Sequence, residues 1–103
     1  MAEDKTNGKT KALHYRRAER VVKGFANHRR IEMLAYLDKH TESSLEELCD
    51  ALGVNIKTAS QHLWKLANAG LVEKRNAGRA VRHRLSGRGK NVLIFLRKLD
   101  SQG

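Results

Sequence analysis

The sequence predicts a mainly α-helical domain that carries one small β-hairpin. Three observations support this fold class. Apolar residues recur at helical spacing in several separate segments of the chain. Between residues 71 and 85 the period changes to alternation, which is typical of two short strands around a glycine-containing turn. At 103 residues, the chain is long enough for one compact domain and too short for two.

The chain begins with a polar stretch and a first amphipathic helix. Residues 1–11 are polar and include three lysines, so we expect a flexible basic tail. A helix is predicted from residue 12 to residue 26, because four apolar residues there recur at i, i+3, i+4 and i+7. These residues are Ala18, Val21, Val22 and Phe25. We expect residues 12–103 to form a single domain.

Two further helices are predicted from their end signals. Asn27 is a suitable N-cap for a helix over residues 28–39. The apolar residues of that helix cover most of its circumference, which predicts a central and largely buried position. Ser44 and Glu47 have the spacing of a capping box at the start of a third helix. Gly53 supplies the left-handed residue that ends this helix.

A fourth helix over residues 56–69 begins directly after the third. Only Val54 separates Gly53 from Asn55, the predicted N-cap, and two helices joined by so short a turn form a helix-turn-helix unit. The inward face consists of Ala59, Leu63 and Leu66, and the other face of Lys57, Ser60, Gln61, Trp64 and Lys65. No Asp or Glu occurs between residues 54 and 72. The exposed face of this helix is therefore polar, basic and free of acid.

A basic hairpin follows the fourth helix. Residues 71–75 and 80–85 are predicted strands, joined by a turn at residues 76–79. Apolar residues and a histidine alternate with arginines along the second strand, so one face of the hairpin is bare arginine. Because Glu73 is the only acid in the hairpin, we expect its arginines to have no acidic partner. These are Arg79, Arg82 and Arg84.

A last helix carries a second apolar stripe. Ser86 is a suitable N-cap, and the stripe consists of Val92, Phe95, Leu96 and Leu99. The core of a 103-residue chain is too small to cover both this stripe and the one on the first helix. Because an exposed apolar stripe of that size marks an interface, we expect a homodimer built from the first and last helices.

The charge of the chain is unevenly distributed. The formal net charge is +10, which favours an anionic partner: nucleic acid, or less often a membrane surface. Residues 1–30 carry nine Lys or Arg against three Asp or Glu, residues 31–53 one against six, and residues 54–103 eleven against two. We interpret the acidic middle as scaffold and the basic parts as contact surface.

These elements in this order predict a winged helix-turn-helix that binds double-stranded DNA. A helix fits the major groove, where exposed Ser, Gln, Asn and Lys contact base edges or phosphates and where an acid would meet the phosphate field. The hairpin would offer arginines to phosphates or to the minor groove. A winged helix used only for protein assembly predicts no basic recognition face. A general nucleic-acid binder without sequence preference remains an alternative, whereas the major groove of duplex RNA is too narrow for the helix.

Two segments resemble the ArsR-type family of winged-helix repressors. "FANHRRIEMLAYL" is similar to the family pattern L-A-D-P-x-R-x-x-I-L-x-L-L. "LEELCDALGVNIKTASQHLWKLANAGLVEKRNAGRAVRHRLS" is similar to the family's helix-turn-helix followed by a G-R-containing wing. "LSGRGK" resembles the start of the last helix in MarR-like proteins. The likeness implies a prokaryotic, cytoplasmic homodimer that binds a near-palindromic operator and represses transcription.

The resemblance also implies which residues read DNA. The family's base-reading positions fall on Ile56, Lys57, Ser60, Gln61 and His62. With the neighbouring cap and basic residues, the full candidate set is Asn55, Ile56, Lys57, Thr58, Ser60, Gln61, His62, Lys65, Lys74, Arg75, Arg79, Arg82 and Arg84. For His62, a base contact and a half-buried position are both open. For Trp64, stacking on DNA and covering the dimer or wing junction are both open.

Other functional classes find little support in the sequence. Cys49 is the only cysteine and lies on an apolar helix face, so we interpret it as a core residue; a single thiol holds no soft metal by itself. No catalytic Ser-His-Asp order or acid pair is present, so we expect neither an enzyme nor a cofactor. No apolar run is long enough for a signal or a membrane span, which predicts a cytoplasmic protein that contacts no membrane. The sequence names no small-molecule effector.

Overall fold

The computed structural model describes residues 12–103 and confirms the predicted fold class. In chain order, the elements of these residues are α1 (Tyr15–Phe25), α2 (His28–Lys39), α3 (Leu45–Leu52), α4 (Ile56–Asn68), β1 (Val72–Ala77), β2 (Ala80–Leu85) and α5 (Gly87–Gln102). The two strands form one antiparallel hairpin. The predicted basic tail, residues 1–11, lies outside the described residues.

The predicted cap residues are confirmed at four helix N-termini. Ser44 and Glu47 form the reciprocal capping box of α3, in which each side chain accepts a hydrogen bond from the backbone N–H of the other residue. Asn55 Oδ1 accepts from the backbone N–H of Thr58 at 2.9 Å. Asn27 and Ser86 cap α2 and α5 in the same way. Such caps satisfy backbone donors that have no partner inside the helix.

Three helix boundaries differ from the sequence prediction, and one of them is the end of α1, which lies at Phe25 instead of residue 26. α1 begins at Tyr15 instead of residue 12, because His14 Nδ1 accepts the backbone N–H of Arg17 at 3.2 Å and serves as the N-cap. α4 ends at Asn68, one residue early, and Ala69 is its C-cap. The chain then turns through Gly70, whose φ of +77° is left-handed.

The short turn between α3 and α4 places the second of these helices across the first. Gly53 adopts the predicted left-handed conformation, with φ 65° and ψ 38°. Beyond it, α4 packs its predicted inward face, Ala59, Leu63 and Leu66, into the core with at most 2% exposure. Met33, Leu34 and Leu37 of α2 are buried in the same core, which confirms the central position of that helix.

The hairpin turn is tighter than the sequence predicted. β1 extends to Ala77, which pairs with Ala80, so only Gly78 and Arg79 form the loop. Asn76, which we placed in the turn, lies in the ladder opposite Val81. The left-handed φ of Gly78, +66°, suits a two-residue hairpin loop.

The hairpin is anchored to the loop between α2 and α3. Ser43 and His83 exchange two backbone hydrogen bonds, of 3.0 and 2.8 Å. The His83 side chain is buried, and its Nδ1 lies 3.1 Å from the carbonyl oxygen of Ser43. The base of the hairpin is therefore fixed, whereas its tip extends into solvent.

The two predicted interface stripes divide between the core and the surface. Phe25 is only 9% exposed and belongs to the core of its own chain, so its assignment to a dimer interface was wrong. Val21, Val92 and Leu96 are partly covered by the same core, and Ala18 is also partly buried. The half-exposed members of the stripes are Val22 (51%), Phe95 (56%) and Leu99 (52%).

Candidate nucleic-acid interface

The exposed side of α4 carries the first group of predicted site residues. We call Lys57, Ser60, Gln61, Trp64 and Lys65 the α4 stripe, because all five are exposed along one side of the helix. Of the other predicted positions, Asn55 and Ile56 are exposed at the first turn and Thr58 is partly covered. As the sequence predicted, the α4 stripe contains no Asp or Glu. This surface therefore offers amide, hydroxyl and ammonium groups without competing carboxylates on the same helix.

His62 lies apart from the α4 stripe. It is half-buried against α2, where its Nδ1 accepts a hydrogen bond from Arg30 Nη1 at 3.2 Å. Burial lowers the pKa of His62, and the nearby positive charge of Arg30 lowers it further, so the ring is neutral at pH 7. Of the two positions left open by the sequence, the structure supports the half-buried one. We therefore remove His62 from the base-reading set.

The hairpin brings a second group of predicted residues to the same side of the molecule. Ser60 of α4 and Lys74 and Arg79 of the hairpin line one cleft of about 490 Å³ between α3, α4 and the strands. Lys74 and Arg79 are exposed, and within residues 12–103 neither forms an ion pair. The helix and the hairpin tip thus form one continuous surface.

The other hairpin arginines have acidic partners, so the expectation of bare arginines was wrong for Arg82 and Arg84. The ion pairs are Arg75–Glu42 (2.9 Å), Arg82–Glu47 (3.2 Å) and Arg84–Glu73 (2.9 Å). Arg82 also donates to the carbonyl oxygen of Glu42 at 3.2 Å. Except for Glu73, these acids come from the acidic middle of the chain, 33 to 40 positions away. The acidic middle of the chain, which we interpreted as scaffold, therefore anchors the hairpin through ion pairs.

Glu47 joins the capping box to the hairpin. Its carboxylate accepts the backbone N–H of Ser44 and a hydrogen bond from Arg82. The Ser44 hydrogen bond lowers the pKa of Glu47, and the charge of Arg82 lowers it further. The carboxylate is therefore ionised throughout the neutral range, and the pair with Arg82 is retained there.

One group of basic residues near α4 was missed by the sequence analysis. Arg20 and Lys23 of α1 line a depression beside Trp64 and Lys65. The sequence signal was present, because Arg16, Arg20 and Lys23 recur at i, i+4 and i+7 on the polar face of α1. Only the packing of α1 on α4 reveals that this basic face lies next to the α4 stripe.

The described residues contain neither a cluster of metal ligands nor a membrane-spanning helix. In the part of the chain that the structure describes, no three His, Cys, Asp or Glu side chains are grouped closely enough to hold a metal ion. Cys49 packs against the core, and burial raises the pKa of its thiol, which keeps it protonated at neutral pH. No helix within residues 12–103 combines the length and apolar character needed to cross a bilayer.

The chain combines a helix-turn-helix with an antiparallel hairpin that has a basic tip. The second helix of the helix-turn-helix exposes an acid-free side. These features define the winged helix-turn-helix class of DNA-binding domains. Residues 27–74 match the family model described as bacterial regulatory protein, arsR family. The chain belongs to this ArsR family of transcriptional regulators.

Individual relatives agree with this assignment. A crystal structure of a possible transcriptional regulatory protein (fragment 1–100) from Mycobacterium bovis is 33% identical, with a TM-score of 0.75, and the match covers 91% of this chain and all of that one. A solution structure of a homodimeric winged helix-turn-helix DNA-binding domain from the same organism, a possible ArsR-family regulator, is 29% identical over 90% of this chain and 91% of that one, with a TM-score of 0.74.

A curated relative is longer than this chain. An HTH-type transcriptional regulator of Mycobacterium tuberculosis is 40% identical over 68 residues, which are 66% of this chain. The match spans only 30% of that regulator's length. The likeness therefore concerns the winged-helix region.

Proposed function

We propose that this domain binds duplex DNA sequence-specifically as a homodimer and represses transcription from a near-palindromic operator. The observation that carries the proposal is the α4 stripe, an exposed, acid-free helix side that continues into the basic tip of the hairpin. A site of this shape and charge suits the major groove and the phosphates beside it. Chromosomal DNA as the partner would place the protein in the cytoplasm.

Within the groove, the proposed base-reading residues are Ser60 and Gln61. Both side chains are exposed one turn beyond the cap at Asn55. Gln bonds adenine N6 and N7 together, and Ser donates or accepts at several bases. Lys57, Lys74 and Arg79 are exposed cations on the same surface, and we assign them to phosphates.

The proposed dimer contact uses the apolar surface that the core leaves open. Val22 of α1 and Phe95 and Leu99 of α5 are each about half exposed. Leu99 also borders an open apolar cleft between α2 and α5, lined by Ile31 and Leu96 among others. The relative from Mycobacterium bovis is described as homodimeric. A two-fold dimer would place DNA half-sites about one helical turn apart.

Selection of bound duplexes from a random pool tests the proposal directly. We expect the selection to enrich a near-palindromic sequence. The protein should bind this duplex more tightly than scrambled DNA or duplex RNA of the same length. If the protein retains duplexes that share no common sequence, it is instead a general nucleic-acid binder. Preferential binding of duplex RNA would contradict the major-groove assignment.

The dimer is tested by a double change, Phe95→Glu with Leu99→Glu. Both side chains are about half exposed, so the fold should survive while two charges enter the proposed contact. We expect sedimentation to show a wild-type dimer at micromolar concentration and a variant monomer that binds the selected duplex poorly. A wild-type monomer at that concentration would exclude the proposed dimer.

A further inference from the structure

Trp64 is a large apolar side chain that the proposed base contacts leave unexplained. It is 59% exposed, and it lies four positions after Ser60 on the same side of α4. The cleft between α4 and the hairpin is lined from α4 by Ser60 and Leu63, whereas Trp64 borders the depression beside α1. Trp64 therefore does not cover the hairpin junction.

The depression beside Trp64 is built between two helices. Arg20, Lys23, Trp64, Lys65 and Asn68 line it, and we call these five residues the α1–α4 patch. At its floor, α1 crosses α4 so closely that a methyl group at Gly24 would collide with the Cβ of Ala69. This close approach fixes the basic face of α1 beside the second half of α4.

The charge of the patch favours an anionic occupant. Three of its five residues are cations, and the acid beside them is Glu19, which pairs with Lys23 at 3.2 Å. Both members of that pair are largely exposed, so the interaction contributes little and a phosphate would displace it readily. A second copy of this chain, itself of net charge +10, is a poor match for such a surface.

We propose, building on the DNA-binding function above, that the α1–α4 patch is a second contact with the same duplex and takes the sugar–phosphate backbone at the rim of the groove that α4 enters. Trp64 lies seven residues beyond Lys57, or roughly 10 Å along the helix axis. When Ser60 and Gln61 face base edges, Trp64 lies where α4 leaves the groove. Its indole presents a flat apolar face to a deoxyribose ring and an N–H donor to a phosphate oxygen.

The chain supplies its own probe of this contact, because Trp64 is its only tryptophan. Quenching of its fluorescence by acrylamide should be efficient in the free full-length protein and strongly reduced once a saturating duplex is bound. Bound DNA with Trp64 still freely quenched would overturn this inference and leave the proposed function intact. Shielding that grows with protein concentration in the absence of DNA would assign the patch to a second copy instead. Absence of binding to any duplex would overturn both proposals.

A charge change with a matched control tests the basic part of the patch. Arg20→Gln should weaken selected and scrambled duplexes alike, by about three- to tenfold near physiological salt, and reduce the salt slope by about one unit. Lys39→Gln removes the same charge from the exposed C-terminal end of α2, outside both the patch and the proposed dimer contact, and should have little effect. Equal effects of the two variants would show that Arg20 acts only through net charge and would overturn its assignment.

Discussion

The α4 stripe and the hairpin are both basic surfaces, yet their charges are held in different ways. The α4 stripe has no acid on its own helix, and its side chains are exposed. On the hairpin, Arg75, Arg82 and Arg84 are paired with carboxylates, three of the four acidic contacts coming from Glu42 and Glu47 on another part of the chain. Arg79, at the tip, has no ion pair within the described residues.

This difference separates two uses of positive charge. A cation without an internal partner is available to a phosphate at no cost to the fold. A cation that is already paired must exchange one carboxylate for one phosphate, so its net gain from DNA is smaller. We therefore expect α4 to decide which sequence is bound, Arg79 to add general affinity, and the paired arginines mainly to orient the hairpin.

The largest expected effect is on sequence choice, through Gln61→Ala. Loss of a good base contact should cost about 1–3 kcal/mol on the selected duplex and little on a scrambled one. Paired titrations at one salt concentration measure the difference, since affinities depend steeply on salt. Equal weakening on both duplexes, or no weakening, would mean that α4 does not read bases through Gln61.

The next largest effect should distinguish a free arginine from a paired one. Arg79→Ala should weaken selected and scrambled duplexes alike and reduce the salt slope by about one unit. Arg84→Ala should change the slope less, because its side chain already pairs with Glu73 at 2.9 Å. Equal slopes for the two variants would contradict the distinction between the tip and the paired arginines. A change in sequence preference with Arg79→Ala would assign that residue to bases instead of phosphates.

The contrast also explains how much the sequence could predict. Helix caps, the left-handed Gly53 and the two faces of α4 depend on residues within one or two turns of each other, and the structure confirms them. The partners of the hairpin arginines lie 33 or more positions away, beyond any local pattern. His62 and Arg30 are likewise 32 positions apart. Periodicity identified the apolar side of α1 but gave no sign that Phe25 is covered by its own core.

A smaller effect, of opposite sign, is expected from Glu42→Gln. This change removes the carboxylate that pairs with Arg75 and lies 3.9 Å from Arg84, so Arg75 becomes available to phosphates, whereas Arg84 keeps its pair with Glu73. Affinity for scrambled duplex should rise by about twofold, because exposed ion pairs are individually weak. Glu32→Gln is the matched control, since Glu32 pairs with Arg29 on α2 and its loss changes the net charge equally. If Glu32→Gln raises the affinity for scrambled duplex by the same factor, the effect of Glu42→Gln comes from net charge alone.

The smallest expected effect concerns two histidines, one anchoring each surface. Burial lowers the pKa of His83, under the hairpin, and of His62, behind α4. Both histidines bind a proton more tightly in the unfolded chain than in the folded one. The free energy of unfolding is therefore highest above about pH 6.5 and decreases as the pH falls below that value. Glu47 and Asp38 have lowered pKa values and titrate at more acidic pH, outside this window.

Urea unfolding at about pH 7.5 and pH 5.5 separates the two contributions. His83 is only 5% exposed and is bonded to the carbonyl of Ser43, whereas His62 is half-buried, so His83→Gln should remove more of the pH dependence than His62→Gln. His83→Gln should also lower stability at pH 7.5, because it weakens the hairpin anchor. If both variants keep the full pH dependence of the wild type, other groups titrate there and neither histidine supports its surface as a neutral ring. If His62→Gln removes more of the pH dependence than His83→Gln, protonation destabilises the contact behind α4 more than it destabilises the base of the hairpin.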